Sequence, residues 1–506
     1  MGRIPRRSMI IGALVALTLT AACSAGSRTT GDSDHKAKGD TLSVGFIAEP
    51  VSLDFTRNDG AAIPQALLVN VYEGLVKLDA RGKIVPLLAS GWKVSPDRRT
   101  YTFTLRKGVT FSDGRPFTAQ DAAFSINRVK TGWTTSLKAG MDVVQDARAA
   151  SPTSLVVTLK RPSNQWLFAM TTRIGAMFSR TGVSKLATEP VGTGPYVLDH
   201  WDRGDAMVLK ARKDYWGAKP AMRQVTLKYF KDPTAMNNAM RTGGIDVVST
   251  VQAPENLAEF KDRSKYHVVE GTSNAEVVLS YNNAKPPLTD RRVRQALSYA
   301  IDRKAVLDTA WAGHGTLIGS MVPPTDPWYE NLSGTYPYEP AKARRLLAQA
   351  GHPKLTLRLR IPNLPYAVAG AQVVKSQLAD VGVTARIDVL EFPARWLDVV
   401  FTKADYDMSI IAHVEPRDIT SWGNPDYYWR YDNPRVRTLL DQADAGTPAV
   451  QVAKMKQVAR TITDDAAADW LFLLPNLMIA DPAVRGLPTN VVSEAFDLTA
   501  CSWARS

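Results

Sequence analysis

Hydrophobic and polar positions alternate with period two in three well-separated places. These are Leu42–Val44–Phe46, Tyr101–Phe103–Leu105 and Leu355–Leu357–Leu359–Ile361. Each alternation predicts a strand with one buried face. From Asp290 onward the period changes. Val293, Leu297, Ala300 and Ile301 fall on one helical face behind a capping Asp290. A helix over 340–350 should stop at Gly351, which tolerates the left-handed conformation of a C-terminal cap. Helical stretches over 368–381 and 393–400 alternate with strand-like stretches over 383–390 and 406–412. Strands alternating with helices predict βαβ units and a largely parallel sheet. A long helix over 450–467 then precedes an apolar run from Leu471 to Ile479.

Upstream, Val109 to Phe111 reads as a short strand running into the turn pair Asp113-Gly114. Thr118 and Asp121 have capping-box spacing for a helix carrying Phe124, Ile126 and Val129. A helix is also expected around Val69, Val71, Tyr72 and Leu75. Pro233 suits the first turn of another, whose Met236 and Met240 lie at core spacing; Gly243-Gly244 ends it before a strand at Ile245–Val248. Val277 to Tyr281 reads as a strand broken by Asn282–Pro287.

The wording of these segments is specific. V-Y-E-G-L at Val71, P-L-L-A-x-x-W at Pro86, D-x-x-x-Y-T-F-x-L-R-x-G-V-x-F-x-D-G-x-P-x-T-A-x-D at Asp97 and G-T-G-P-Y at Gly192 occur in order. N-N-x-x-x-P-x-x-D-x-R-V-R-Q-A-L-x-x-A-I-D-R follows at Asn282. From Thr41 to about Ile479 the chain resembles the extracytoplasmic solute-binding proteins of ABC importers, in the family that includes oligopeptide- and dipeptide-binding proteins. The resemblance implies a periplasmic-binding-protein-like class II α/β fold, with two large lobes, a hinge and a subsidiary α/β lobe. It assigns 41–75, 191–282 and 480–506 to lobe I, 76–190 to the subsidiary lobe and 283–479 to lobe II, with the first hinge at Asn282–Pro287. It further implies a monomer that hands its solute to ABC permease subunits.

Composition narrows the class. A 506-residue chain exceeds one compact core, and its 45% hydrophobic content argues against disorder. The net charge is +13; residues 1–22 hold Arg3, Arg6 and Arg7 and no acid, so +10 remains for the rest. Without clustered Lys/Arg and aromatic platforms, that excess reads as a solvated surface rather than a nucleic-acid footprint. Arg3, Arg6 and Arg7 before an apolar run from Met9 to Leu19 make residues 1–22 a signal peptide, too short to span a membrane. Cys23 follows Thr20-Ala21-Ala22 and resembles a lipobox cysteine, expected to carry lipid and anchor the chain to the membrane. Residues 23–40 then form a flexible polar tether.

The densest polar-aromatic stretch runs from His413 to Asp432, directly after a buried strand, where ligands of open α/β sheets bind. Peptide-binding members of the resembled family hold the ligand's ammonium group on an acidic residue here. Asp418 is the first candidate and Glu415 the second. Trp422, Tyr427, Tyr428 and Trp429 are expected as cleft walls, with Glu49 and Asn282 contributing from the ends of strands. Arg417 and Arg430 read as solvated or lobe-bridging. The expected solute is a short peptide. A nickel chelate, haem or an oligosaccharide, and outside the family a secreted hydrolase or a sensory or scaffold lipoprotein, are the alternatives. The sequence lacks G-x-S-x-G, H-E-x-x-H and C-x-x-C, so no enzyme, cofactor or metal site is expected.

Overall fold

Ten strands form one mixed sheet in the order 383–390, 355–362, 408–413, 267–281, 468–480, 247–248, 41–46, 224–229, 206–211 and 196–202. The computed structural model describes residues 39–58 and 60–504. The leader, Cys23 and the tether as far as Lys38 lie outside the described residues. The βαβ expectation holds at Leu355–Pro362, which pairs in parallel with Val383–Leu390 and with Met408–His413. Parallel pairing recurs at Thr41–Phe46, whose neighbours 224–229 and 247–248 both run parallel to it, but not at the centre of the sheet. Both neighbours of His267–Tyr281 run antiparallel to it, so the sheet is mixed rather than largely parallel.

The two longest strands, His267–Tyr281 and Ala468–Ala480, pair along most of their length, with a register break between Thr272 and Glu276. On one side of the break, Val269 and Met478 join the core of Leu42, Val44 and Leu227, while Leu477 and Ile479 cover Met236 and Met240. On the other side, Val277, Leu279, Leu471 and Phe472 join Leu357, Leu359 and Ile410. The core therefore changes inside these strands, well before Asn282–Pro287. That stretch packs within the far lobe instead. Asn282 Nδ2 donates to Ala404 O (2.9 Å), and Lys285 pairs with Asp407. A hydrophilic break after a strand marked the end of the strand, not the change of lobe.

The subsidiary unit is a four-stranded antiparallel sheet, 89–94, 100–105, 154–159 and 144–151, backed by the helix Ala119–Gly132. Its capping box forms, with the Thr118 N–H and hydroxyl both donating to Asp121 Oδ2 at 2.9 and 2.7 Å. The core of this unit, including Tyr101, Phe103 and Leu155, is continuous with that of the first lobe. Two local expectations do not hold. Val109–Phe111 offers only a single bridge, Thr110 to Pro116. The helix expected around Val69–Leu75 is instead Ala62–Leu67, and Val69 follows it in the left-handed region at φ 60°. A β-branched residue with that φ ends any helix.

The other predicted helices are present. Pro233–Arg241 is capped by Asp232, whose carboxylate accepts from Ala235 N (2.8 Å), and Arg291–Tyr299 by Asp290, which accepts from Arg292 N (2.8 Å). Pro340–Gln349 precedes Gly351 at φ 81°, the expected left-handed cap. After 480 the chain returns to the first lobe. Asn70 holds it there by donating to Phe496 O (2.9 Å) and accepting from Leu498 N (3.0 Å). Cys501 is buried against this return, and burial pushes its thiol up to about 12, a protonated and unreactive state.

Candidate functional site

The strand Met408–His413 ends at a buried histidine, and the backbone then reverses at Arg417, in the left-handed region at φ 61°. That reversal turns Asp418 back toward the strand end, with its Oδ2 3.7 Å from His413 Nδ1. The other ring nitrogen, Nε2, lies 2.9 Å from the Tyr428 hydroxyl, and the two rings stack at 11°. Burial lowers His413 to about 4, so the imidazole is neutral. The side-chain donors of His413, Glu415 and Asp418 all lie within 4.8 Å of one another.

More acid converges here. Glu276 is the register partner of His413 on the neighbouring strand and is only 1% exposed. Burial, then repulsion from Asp418, holds its carboxyl well above the usual range. Asp418 is raised by burial, then by Glu415 and Asp326. Glu276 Oε2 and Asp418 Oδ2 are buried and accept no hydrogen bond from any described residue.

Asp326 is pushed up to about 6 by burial, against the opposing pull of Arg417. Burial in turn brings Arg417 down to about 10. Arg417 Nε lies 3.8 Å from Asp326 Oδ1, and the guanidinium sits 3.7 Å from the Phe168 ring centroid and 4.8 Å from that of Trp328. Phe168 belongs to the subsidiary unit, so Arg417 bridges two parts of the body, one of the two roles expected of it. A cavity of about 750 Å³ opens beside it, walled by Leu137, Trp166 and Phe168 on one side and Trp328 and Arg417 on the other. Such a volume suits a small organic solute.

The structure sorts the predicted residues. Trp422 and Trp429 stack face to face at 3.9 Å and 7° in the core of the far lobe, and Tyr428 packs beside them. These three are buried core rings rather than the expected cleft walls. Only Tyr427 of the four aromatics is partly exposed. Asn282 is buried and ties down the Ala404 loop, so it does not line the cavity. Glu49 accepts from Trp201 Nε1 (2.9 Å) and Gly204 N (3.0 Å), which commits its carboxylate to its own lobe.

Glu276, Asp326, Trp328 and Phe168 escaped the sequence reading. Glu276 alone left a signal, as an acid within the apolar run before Val277. Asp326 sits in a Pro-Pro-Thr-Asp-Pro turn that looks like any surface loop.

One sheet threading two lobes through paired strands, with a polar corner beside an interlobe cavity, defines a bilobal α/β ligand-binding protein. The chain belongs to the bacterial extracellular solute-binding proteins, family 5, whose middle region matches residues 83–433. It is 34% identical over 299 residues to the nickel-binding periplasmic protein of Escherichia coli K12, covering 56% of each chain. It is 29% identical over 409 residues to the glutathione-binding protein GsiB of Shigella flexneri, covering 79% of this chain and 77% of that one. The fold matches that of DppA from Helicobacter pylori in complex with the peptide STSA, with a TM-score of 0.76, 21% identity, and 92% and 98% of the two chains covered. Membership makes this an extracytoplasmic solute-binding protein. Among the described residues no helix is long and apolar enough to cross a membrane.

Proposed function

We propose that this protein is the lipid-anchored receptor of an ABC importer, capturing a short peptide between its lobes and delivering it to a membrane permease. The observation that carries the reading is the buried, unpartnered Oδ2 of Asp418, backed by Glu276. An ammonium group placed there supplies the missing donors and relieves the repulsion between the two carboxyls, as a charge-assisted hydrogen bond. Side chains of the peptide would extend into the cavity beside Arg417. The relatives named for glutathione and for a bound peptide support this class of solute, and they are binding proteins rather than hydrolases.

Closure follows from the architecture. The lobes are joined through the strands His267–Tyr281 and Ala468–Ala480, and bending at their register break near Thr272–Glu276 would open and close the cleft. A solute that touches both lobes only when they are closed shifts the population toward the closed form. Cys23 would hold the body at the outer face of the cytoplasmic membrane; two acyl chains suffice for stable anchoring.

Thermal shift of the purified protein against tripeptides, glutathione, nickel chelates and oligosaccharides tests this. Binding to the folded form alone raises the melting temperature by mass action. The expected result is a shift with free-amine peptides that disappears on N-acetylation and in Asp418→Asn. A shift that survives both changes overturns the assignment of the ammonium to Asp418.

A further inference from the structure

A second cavity, of about 850 Å³, opens on the first lobe between residues 254–269 and 482–489, and Ala312 and His314 of the far lobe complete its lining. It shares no lining residue with the cavity beside Arg417. The helix Arg303–Trp311, which leads into Ala312, packs on the core of Val277 and Leu279. Trp328 of the first cavity packs instead with Val278, on the opposite face of the sheet. We propose that this second cavity is a peripheral site for a small organic anion with an apolar body, and that its occupancy biases the hinge. Binding there does not depend on the peptide reading; the effect on the hinge rests on bending near Thr272–Glu276.

Charge and apolar surface together select that class. The lining holds Lys261, Arg263 and Arg485 against a single acid, Glu255. Arg485 Nη1 donates to the carbonyls of Pro482 (2.6 Å) and Val484 (3.0 Å), and among the described residues none of the three cations has a carboxylate partner. Acids nearby are already taken, Asp262 by Lys265 and Glu259 by Arg241. Unneutralised charge of one sign over low-dielectric walls concentrates the field and attracts an anion. Phe260, Val269 and Val484 are buried and give the lining apolar surface, which rewards an apolar body on the ligand.

The cavity is prebuilt and tied to the hinge. A Cβ on Gly486, at φ 74°, would lie 2.0 Å from Ala500 O, so the chain is tightly packed there. Asn476 Nδ2 donates to Pro488 O (2.8 Å) and Thr489 O (2.9 Å). Thr272 N donates to Asn490 Oδ1 (3.0 Å) and Thr272 O accepts from Val491 N (2.9 Å), at the edge of the register break. From the far lobe, His314 Nδ1 lies 3.1 Å from Glu270 Oε2, just before that break. A molecule touching both walls therefore binds one interlobe angle better than another and shifts the lobes toward it.

The test titrates the whole protein with anilinonaphthalene sulfonate, followed by its fluorescence, beside phenylnaphthylamine, the same ring system without the sulfonate. The sulfonate probe should bind saturably, more weakly as salt rises, and at least ~10-fold more tightly than the neutral amine. Arg263→Gln/Arg485→Gln, at two exposed positions, should weaken it at least ~10-fold with an unchanged melting temperature. Arg115→Gln, which alters an exposed arginine paired with Asp113 in the subsidiary unit, should change nothing. Hydrogen exchange read by mass spectrometry should slow over 254–270 and 482–491 in the complex, and over Thr272–Glu276 as well. Equal affinity for the two probes, or full affinity in the double variant, overturns the site. Protection confined to 413–432 places the probe in the interlobe cleft and overturns it too. Slowed exchange in the walls without any at Thr272–Glu276 overturns the effect on the hinge.

Discussion

Ser163 Oγ donates to Asp444 Oδ1 over 2.8 Å, joining the subsidiary unit to the far lobe across 281 residues of sequence. The same oxygen accepts from Gln165 N (2.9 Å), and the other accepts from Arg161 Nη1 (2.6 Å). Asn164 Nδ2 adds bonds to the carbonyls of Ala443 and Gly446, both at 2.8 Å. Asp444 is thus a buried carboxylate satisfied almost wholly by a different part of the molecule. With Arg417 on Phe168 it forms a latch at the edge of the cavity.

Replacing Asp444 by Ala should strand the Ser163 hydroxyl and the Gln165 N–H and release Arg161. Loss of a buried multi-donor acceptor costs about 2–4 kcal/mol. Urea unfolding should report that loss, and small-angle scattering should show a larger radius of gyration as the latch opens. An unchanged radius with reduced stability would make the contact a packing feature rather than a latch.

Asp326 predicts a pH signature. Its carboxyl is raised to about 6 in the folded protein, so the folded state holds its proton more tightly than the unfolded chain does. The resulting stability is fully present below about pH 4 and is lost as pH rises through about 6. Asp326→Asn removes that dependence. Relative to the wild type, the variant should gain about 2 kcal/mol between pH 4.5 and pH 7.5, read from denaturant midpoints at both values. Comparing two pH values cancels the constant cost of depriving Arg417 of its partner.

Gly192 opens the G-T-G-P-Y loop, and a Cβ on it would lie 1.9 Å from Val71 O. Since backbone cannot yield as a side-chain tip does, Gly192→Ala should destabilise by more than about 3 kcal/mol. The melting temperature will show it. Gly91→Ala, where an added Cβ meets nothing within 4 Å, is the matched control.

The aromatic cluster separates by burial. Trp422→Ala removes a ring stacked on Trp429 in the core and should cost about 3–5 kcal/mol. Tyr427→Ala, at the partly exposed edge beside Phe401, should cost far less in stability. If Tyr427 lines the path of the solute, its loss will instead appear in affinity, measured by calorimetry with whichever ligand the thermal screen yields.

Sequence by itself determined most of the elements and the family. Period-two and helical periodicities placed Thr41–Phe46, Leu355–Pro362 and Arg291–Tyr299, because burial of one face is written into spacing alone. Asp290, Thr118 and Gly351 marked ends because capping is a local act. His413, Glu415 and Asp418 were also visible, since one short segment carries them all. What joins that segment to the rest was decided only by the tertiary structure. Glu276 reaches His413 through strand register, Asp326 reaches Arg417 through a distant turn, and Asp444 is satisfied by residues 161–165. The change of core within His267–Tyr281 was hidden for the same reason. A strand reads identically on both sides of the break, and only the residues packed against it tell one lobe from the other. Burial separated Trp422 and Trp429 from Tyr427, a distinction that aromatic composition could not make, because enclosure depends on neighbours that are remote in sequence.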